Sequence, residues 1–414
     1  MTTGALALLI GTLILVQILL ALWLKLRRRR VEANNPASDI TQPRISTPQQ
    51  SGTTPQESGA AWTGFRAFRV VKREIENATG DIVSFYLAPE QPMPLPAYKP
   101  GQFLSVRVEL PDGTESGAQT LTRCYSLSDR PHSDQYRISV KQIPGGQVST
   151  HLHEKITVGS RLMVKAPSGA FQLIQKPPRP LVLIAGGIGI TPMLSMLYAL
   201  LDQGYEQDIW LFYGARNGRE GIMLPRLREL AEYHPQFHLN LCYSRPDPED
   251  RPGIDFQYAG HIDTVLLQRE LPLNHYRFYL CGPAALMENL VPGLEALGVS
   301  ETDIHFEAFG PSTLKRTDKT TQPDSATESQ SWQVNFQSSG KSLAWSGAHE
   351  NLLSLIEAEG IAVDTACRSG SCGSCQTRIE SGSVIYDQTP DAEIQEGHCL
   401  LCVGRPGSDL SLAL

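Results

Sequence analysis

The sequence predicts a multidomain chain: an N-terminal transmembrane helix, an antiparallel β-barrel, a doubly wound α/β domain and a small α+β domain. Three observations predict it. An uncharged apolar run occupies Gly4 to Leu24. Short alternating runs from Trp62 give way near Leu181 to strands that alternate with helices. Five of the eight cysteines lie from Cys367 onward, three of them in the stretch CRSGSCGSCQTR.

With 414 residues the chain is too long for one core and suits two or three folded domains. A hydrophobic content of 41% and a net charge of -7 describe ordinary folded domains. No long basic stripe is present to track phosphates, so nucleic acid is not an expected partner. A disulfide scaffold would be smaller and more evenly cross-linked, so the clustered cysteines point to a metal site in a reducing compartment.

Gly4 to Leu24 contains only two polar side chains, Thr12 and Gln17. As a helix at about 1.5 Å per residue it reaches roughly 30 Å, the thickness of a bilayer core. Trp23 sits where an interfacial aromatic would, and Lys25 and Arg27 to Arg30 follow. A cleaved signal peptide would carry its charge before the apolar run and a small-residue cleavage site after it. The charge here comes after the run. The positive-inside rule then predicts a single pass through the inner (cytoplasmic) membrane, with the folded domains in the cytoplasm. Residues 31–61 are rich in Pro, Ser, Thr, Gln and Asn and read as a flexible tether.

Residues 62–174 form the first expected domain. FRAFRVVKR, DIVSFYLAP, QFLSVRVEL, YRISVKQI and RLMVKAP read as strands separated by turn residues, a barrel or sandwich pattern. In RCYSLS, strand alternation puts Arg123 and Tyr125 on one face and Ser126 on the other. An arginine can clamp a phosphate, and a tyrosine can stack on a flat ring. In ISVKQIPGGQVSTHLHE a strand runs into a Gly-Gly turn and a helix start with Ser149 at its mouth. Backbone N–H groups there suit a pyrophosphate.

Residues 175–312 form the second. A buried-type strand, Leu181 to Ala185, leads into the turn Gly186-Gly187-Ile188-Gly189-Ile190-Thr191-Pro192 and then a helix. Glycines let the backbone approach a ligand, the helix N-terminus favours negative charge, and proline is well placed in a first turn. DIWLFYGAR, FHLNLCYSR, HYRFYLCGP and DIHFEAFGP continue as strands between helices, which indicates a parallel doubly wound sheet. Ligands of such sheets bind at the carboxyl ends of strands. The 186–192 turn, Gly214 to Arg216 and Cys281 to Pro283 all lie at such ends.

After a polar linker, 313–331, the last domain covers 332–414. WQVNFQ and KSLAWS read as strands and Asn351 to Glu359 as a helix. Cys367-x4-Cys372-x2-Cys375 with a distant fourth cysteine is the plant-type [2Fe–2S] spacing. The small residues between these cysteines let the loop curl and aim N–H groups at sulfur. Zinc ribbons usually pair two C-x2-C knuckles, and only one is present. Cys399 and Cys402 are both candidates for the fourth ligand.

The first two folded domains resemble the ferredoxin–NADP(+) reductase superfamily. The resemblance is carried by Arg123-x-Tyr125-Ser126, Gly146-x-Val148-Ser149, Gly187-x-Gly189-x-x-Pro192, Cys281-Gly282-Pro283 and Glu307-x-Phe309, in that order, over 62–311. IHFEAFGP looks like the reductase module of flavohaemoglobins, although no globin precedes it. The resemblance implies that Arg123 binds the flavin pyrophosphate, Tyr125 stacks on the isoalloxazine and Ser126 approaches its N5 edge. Lys141, Gly146, Val148 and Ser149 would complete the flavin site. Gly187, Gly189, Thr191, Pro192, Gly282 and Pro283 would hold the nicotinamide dinucleotide, with Cys281 beside the nicotinamide. Glu307 and Phe309 would border the flavin. Cys124 and Cys242 read as structural. Similarity to flavohaemoglobins implies FAD rather than FMN. NADH and NADPH both stay open, since Arg216 and Arg219 favour a 2′-phosphate and Glu220 opposes one. The stretch GHCLLCVGRPGSDL resembles the end of plant-type ferredoxins, which implies a β-grasp domain, Cys402 as the fourth ligand beside Cys367, Cys372 and Cys375, and Cys399 as packing.

The expected function follows. The chain is an NAD(P)H-dependent oxidoreductase passing electrons through FAD and a [2Fe–2S] cluster to a redox partner protein, such as an oxygenase, a desaturase or a hybrid-cluster protein. The anchor suggests that the partner is membrane-bound. Two other readings stay open: direct reduction of a small molecule such as nitric oxide, oxygen or ferric iron, and a redox-sensing protein with degenerate sites.

Overall fold

A computed structural model describes residues 62, 64–92, 94–111, 118–131, 134–174, 179–309, 331–361, 363–387, 390 and 392–414. The expected membrane helix, the tether and nearly all of the 313–331 linker lie outside these residues. Among the described residues no helix is long and apolar enough to cross a membrane.

The first sheet has strands β1 (Arg66–Ile75), β2 (Ile82–Pro89), β3 (Phe103–Pro111), β4 (Ala118–Ser126), β5 (Tyr136–Lys141) and β6 (Arg161–Val164), with helix α1 (Gln147–Lys155) between the last two. Its order is β4-β3-β6-β1-β2-β5, and its pairings are antiparallel. An isolated bridge from Leu127 to Ile138 joins the two outer ends and closes the sheet as a barrel. Alternation buries Phe68 and Val70 of β1 while Arg69 stays exposed. The register of β1 shifts between Val70 and Lys72, a bulge of the kind that bends a barrel strand.

The second sheet is parallel, in the order β10-β9-β8-β7-β11-β12. These strands are β7 (Leu181–Gly186), β8 (Ile209–Ala215), β9 (Phe237–Tyr243), β10 (Tyr258–Ala259), β11 (Arg277–Pro283) and β12 (Ile304–Phe309). Helices α2 (Ile190–Asp202), α3 (Leu224–Tyr233), α4 (Thr264–Glu270) and α5 (Ala284–Ala296) connect them. Every residue of α2 from Ile190 to Leu200 is buried. A helix that is apolar all round must be covered all round, and α2 is: Phe171 and Leu173, from the segment after β6, join its cluster together with Ile82 of β2. The Ser195 hydroxyl donates to the Tyr98 hydroxyl at 3.4 Å, and the Ile174 amide donates to the Tyr279 hydroxyl at 3.1 Å. The barrel keeps its own core, and a few of its residues extend into that of the nucleotide sheet.

The last region is a mixed sheet ordered β14-β13-β19-β15-β17, with a separate β16–β18 pair. Its strands are β13 (Trp332–Phe336), β14 (Lys341–Trp345), β15 (Gln376–Ser381), β16 (Val384–Tyr386), β17 (His398–Leu400), β18 (Gly404–Pro406) and β19 (Leu410–Leu412). Helix α6 (Leu352–Ala358) buries Leu352, Leu353, Leu355 and Ile356 against it. Asn351 caps α6 in a reciprocal box with Ser354, a device worth about 1 kcal/mol.

Candidate functional site

Strand β4 presents the first group. Arg123 is exposed, with Nη1 donating to the Thr122 carbonyl at 2.8 Å. The Tyr125 ring packs on the barrel core, and burial raises its phenol above the ordinary value. Ser126 is buried. Lys141 ends β5, and its ammonium lies 3.5 Å from Asp81 and 3.7 Å from Glu220, a carboxylate of the nucleotide domain. Glu220 also pairs with Arg216 at 3.2 Å.

Helix α1 starts at Gln147 with Gly146 as its cap, so Ser149 is the third helical residue rather than the mouth. The Ser149 hydroxyl accepts from the Ile143 amide and donates to the Gly146 carbonyl, at 3.1 and 3.2 Å. It is spent within the turn. Val148 is buried in the barrel. The N-terminus of α1 has neither a side-chain cap nor an acidic residue in its first turn, and the same is true of α2. Uncapped N–H groups of this kind suit an anion.

At the head of α2, Gly187 adopts φ +55, and a Cβ there would meet nothing within 4 Å. The chain turns sharply and leaves open space. Gly189 is the opposite case: a Cβ would lie 2.2 Å from the Cys281 carbonyl oxygen. Only glycine lets the turn sit against β11. Gly282 lies less tightly against Gly186, its would-be Cβ 3.1 Å from the Gly186 Cα. Thr191 is buried, its hydroxyl donating to the Ile188 carbonyl at 2.9 Å, and Pro192 fills the first turn.

Cys281 is fully buried and stands in register with Ala185 on one side and Glu307 on the other; Pro283 faces Phe309. Burial, with Glu307 adding to it, pushes the Cys281 thiol well up. Glu307 has its carboxyl pushed up to about 8 by burial, then by Cys367. Its Oε2 is buried without a hydrogen-bond partner. A desolvated carboxylate oxygen left unpaired fits a site completed by a bound group.

The cysteine loop brings Cys367 and Cys372 together, the Cys372 amide donating to the Cys367 sulfur at 3.3 Å, and sets Cys402 beside Cys375 through the Leu401 amide, which donates to the Cys375 carbonyl at 3.4 Å. The amides of Ser369, Ser371 and Cys372 aim at the Cys367 sulfur at 3.3 to 3.4 Å. Those of Cys367 and Ser374 aim at the Cys372 sulfur at 3.4 and 3.5 Å. N–H groups converging on sulfur are what thiolate ligands need. Among the described residues no group of three or more His, Cys, Asp or Glu side chains is placed to hold a metal ion. Cys399 stands outside the set, buried on β17, and burial pushes its thiol up to about 12. Arg368, at φ +57, shapes the loop and is held by Glu357 through bonds of 2.5 and 2.9 Å.

This loop lies against the barrel. Arg107 of β3 pairs with Asp364 at 2.9 Å while its guanidinium covers the Phe65 ring at 3.8 Å. Cys124 of β4 is half-buried, its sulfur 3.6 Å from the Ser105 hydroxyl.

Three family models match the chain: the oxidoreductase FAD-binding domain over 68–173, the oxidoreductase NAD-binding domain over 183–291 and the 2Fe-2S iron-sulfur cluster binding domain over 337–407. The chain belongs to the ferredoxin–NADP(+) reductase superfamily. The reductase is 39% identical over 261 residues to the flavohemoprotein of Halalkalibacterium halodurans, matching 62% of each chain. It therefore spans about three fifths of the length of that curated relative. Among solved structures it resembles phthalate dioxygenase reductase, described as a modular structure for electron transfer from pyridine nucleotides to [2Fe-2S]. There the identity is 26% and the TM-score 0.51, covering 85% of this chain and 98% of that one. It also resembles the flavohem-like FAD/NAD binding domain of nitric oxide dioxygenase from Vibrio cholerae, with 31% identity and TM-score 0.52, covering 59% and 99%. The chain accordingly carries an FAD-binding and an NAD-binding oxidoreductase domain followed by a 2Fe-2S cluster binding domain.

Proposed function

We propose that this reductase is a membrane-anchored electron-transfer component that delivers single electrons from NAD(P)H to an acceptor protein such as an oxygenase, a desaturase or a hybrid-cluster protein. The observation that carries this reading is the seat of the cysteine loop on the barrel, through Arg107–Asp364. When bound, the flavin accepts hydride from the nicotinamide and the cluster passes electrons on singly.

The chain's own residues do the positioning. Arg123, with Lys141 and the turn of Gly146, Val148 and Ser149, holds the flavin diphosphate. Tyr125 stacks on the ring and Ser126 approaches its N5 edge. Gly187, Gly189, Thr191 and Pro192 seat the dinucleotide at the uncapped start of α2, with Gly282 and Pro283 beside them. Cys281 lines the nicotinamide side; Glu307 and Phe309 border the flavin. Cys367, Cys372, Cys375 and Cys402 ligate the cluster. The domain limits are 4–24 for the anchor, 31–61 for the tether, 62–174, 175–312 and 332–414 for the three folded domains, and 313–331 for the linker. Anchoring is supported by the uncharged run Gly4 to Leu24 and the arginines after it. It places the acceptor at or near the membrane.

The test is an anaerobic titration with NADH and, separately, NADPH, followed by absorbance and low-temperature EPR. Flavin bleaching together with a rhombic reduced-cluster signal is expected, and the more effective nucleotide is the donor. Bleaching with no cluster signal overturns the reading in favour of a small-molecule acceptor reduced at the flavin.

A further inference from the structure

We propose that Tyr98 is a positioning residue for hydride transfer: its hydroxyl locks helix α2 onto the segment that follows Ser126 and so fixes the nucleotide-binding turn against the flavin strand. The inference rests on the flavin and dinucleotide sites proposed above.

Tyr98 belongs to the barrel, its ring buried and set edge-on to Tyr136 at 5.7 Å. Its hydroxyl donates to the Asp129 carbonyl, just beyond the end of β4. A hydroxyl that donates can still accept, and the fully buried Ser195 of α2 donates to it at 3.4 Å. Burial raises the Tyr98 phenol above its ordinary value, so its proton stays in place to be donated. The result is a directed relay from Ser195 O–H to Tyr98 O–H to the Asp129 carbonyl, across the boundary between the two domains.

Both ends of the relay are stiff. The Leu127 amide donates to the Gln102 carbonyl at 2.9 Å, and the Ser128 amide donates to the Arg137 carbonyl at 3.0 Å. Arg137, itself buried, donates from Nε to the Ser128 hydroxyl at 3.1 Å. At the other end, Ser195 sits in a helix that is buried from Ile190 to Leu200. Ser195, Tyr198 and Asp202 recur at helical spacing and share one face of α2. Arg130 extends the contact along that face, its guanidinium 5.0 Å from the Tyr198 ring centre and its Nε 3.1 Å from Asp202. That pair is partly exposed and weakened by water, whereas the Tyr98 bonds are dry. Ser195 stands only about 6 Å along the helix axis from Thr191, in the turn that would seat the dinucleotide. The reaction breaks the C–H bond at nicotinamide C4 and makes the N–H bond at flavin N5, both electrons moving with the hydride. Its rate depends on aligning two rings held by different domains, and a misplacement of about 1 Å can cost about a hundredfold.

The full-length holoenzyme tests this in Tyr98→Phe, Ser195→Ala and the double variant. Anaerobic stopped flow over a range of NADH or NADPH concentrations, whichever bleaches the parent faster, separates the limiting bleaching rate from nucleotide affinity. Amide hydrogen exchange over 126–130 and 187–195 is read alongside. Tyr98→Phe keeps the ring and loses both bonds. Its limiting rate is expected to fall about two- to tenfold, what one neutral hydrogen bond is worth. Affinity should stay near the parent's, and exchange should quicken in both segments. Ser195→Ala should lose less, and the double variant should match Tyr98→Phe, because both hydroxyls act on one path. A parent limiting rate in Tyr98→Phe overturns the proposal. A change confined to affinity overturns it too, as do losses that multiply in the double variant. If Tyr98→Phe does not fold, Ser195→Ala decides: a lowered limiting rate with faster exchange at 126–130 supports the relay, and parent values refute it. Failure of the underlying site assignment reads differently, as a parent holoenzyme that neither nucleotide bleaches.

Discussion

Replacing Asp364 by Asn removes the charge that holds the cysteine loop to β3 while keeping nearly the same shape. The pair is 2.9 Å long, with side chains 34% and 36% exposed. It is also monodentate, since Arg107 Nε and Asp364 Oδ1 find no partner. Partly exposed single-bond ion pairs contribute about 0.2–1 kcal/mol, so the seated population should fall about 1.4- to 5-fold. Arg107→Ala should cost more, because it also removes the guanidinium from the Phe65 ring, a contact worth about 0.5–1 kcal/mol more. Arg107→Ala in the Asp364→Asn background closes a double-mutant cycle that isolates the pair. The assay is rapid mixing with NADH, following flavin bleaching by absorbance and cluster reduction by freeze-quench EPR. Cluster reduction should slow in both single variants while flavin bleaching keeps its rate. Added salt should reproduce part of the loss in the parent, because screening weakens exposed charges. A zero coupling energy, or cluster reduction at the parent rate in both variants, would refute the claim that this contact seats the loop.

Three further outcomes are expected. Cys402→Ser should lose the visible absorbance and iron of the cluster, whereas Cys399→Ser should keep both and lose about 1–2 kcal/mol of stability, since a hydroxyl replaces a buried thiol; iron analysis with urea unfolding checks both. Gly189→Ala forces a methyl to within 2.2 Å of a main-chain oxygen that cannot swing aside; overpacking of about 1–3 kcal/mol should appear in urea unfolding, together with slower flavin bleaching by NADH. Glu76 has its carboxyl raised above 4.5, chiefly by burial, so the folded state holds its proton more tightly than the unfolded state does. Its contribution is complete below the unfolded pKa and lost as pH rises through the folded one. Glu76→Gln should therefore flatten stability against pH above about 4.5, as read from urea midpoints across a pH series.

What the sequence disclosed was what local periodicity and spacing encode. Alternation exposed β1 to β6, and buried apolar runs followed by amphipathic stretches exposed β7 to β9, β11 and β12. The interval Cys367-x4-Cys372-x2-Cys375 exposed the cluster loop. Strand β10, two residues long, is too short to carry a period. Ser149 was read as a helix mouth because hydroxyls favour caps, yet the turn after Ile143 places Gly146 there instead. The contacts that bind the domains together were hidden for a different reason. Arg107 and Asp364 are 257 residues apart, and Lys141 meets Glu220 across a domain boundary. No window of sequence contains both partners.

That same separation has a consequence for how the protein is made. Asp364, Cys367 and Cys372 leave the ribosome after the whole barrel and the whole nucleotide sheet, and domains generally fold as they emerge. For a time the chain holds a complete pair of FAD-binding and NAD-binding domains with no cysteine loop against them. The seat of that loop on β3 is the last part of the molecule to be assembled.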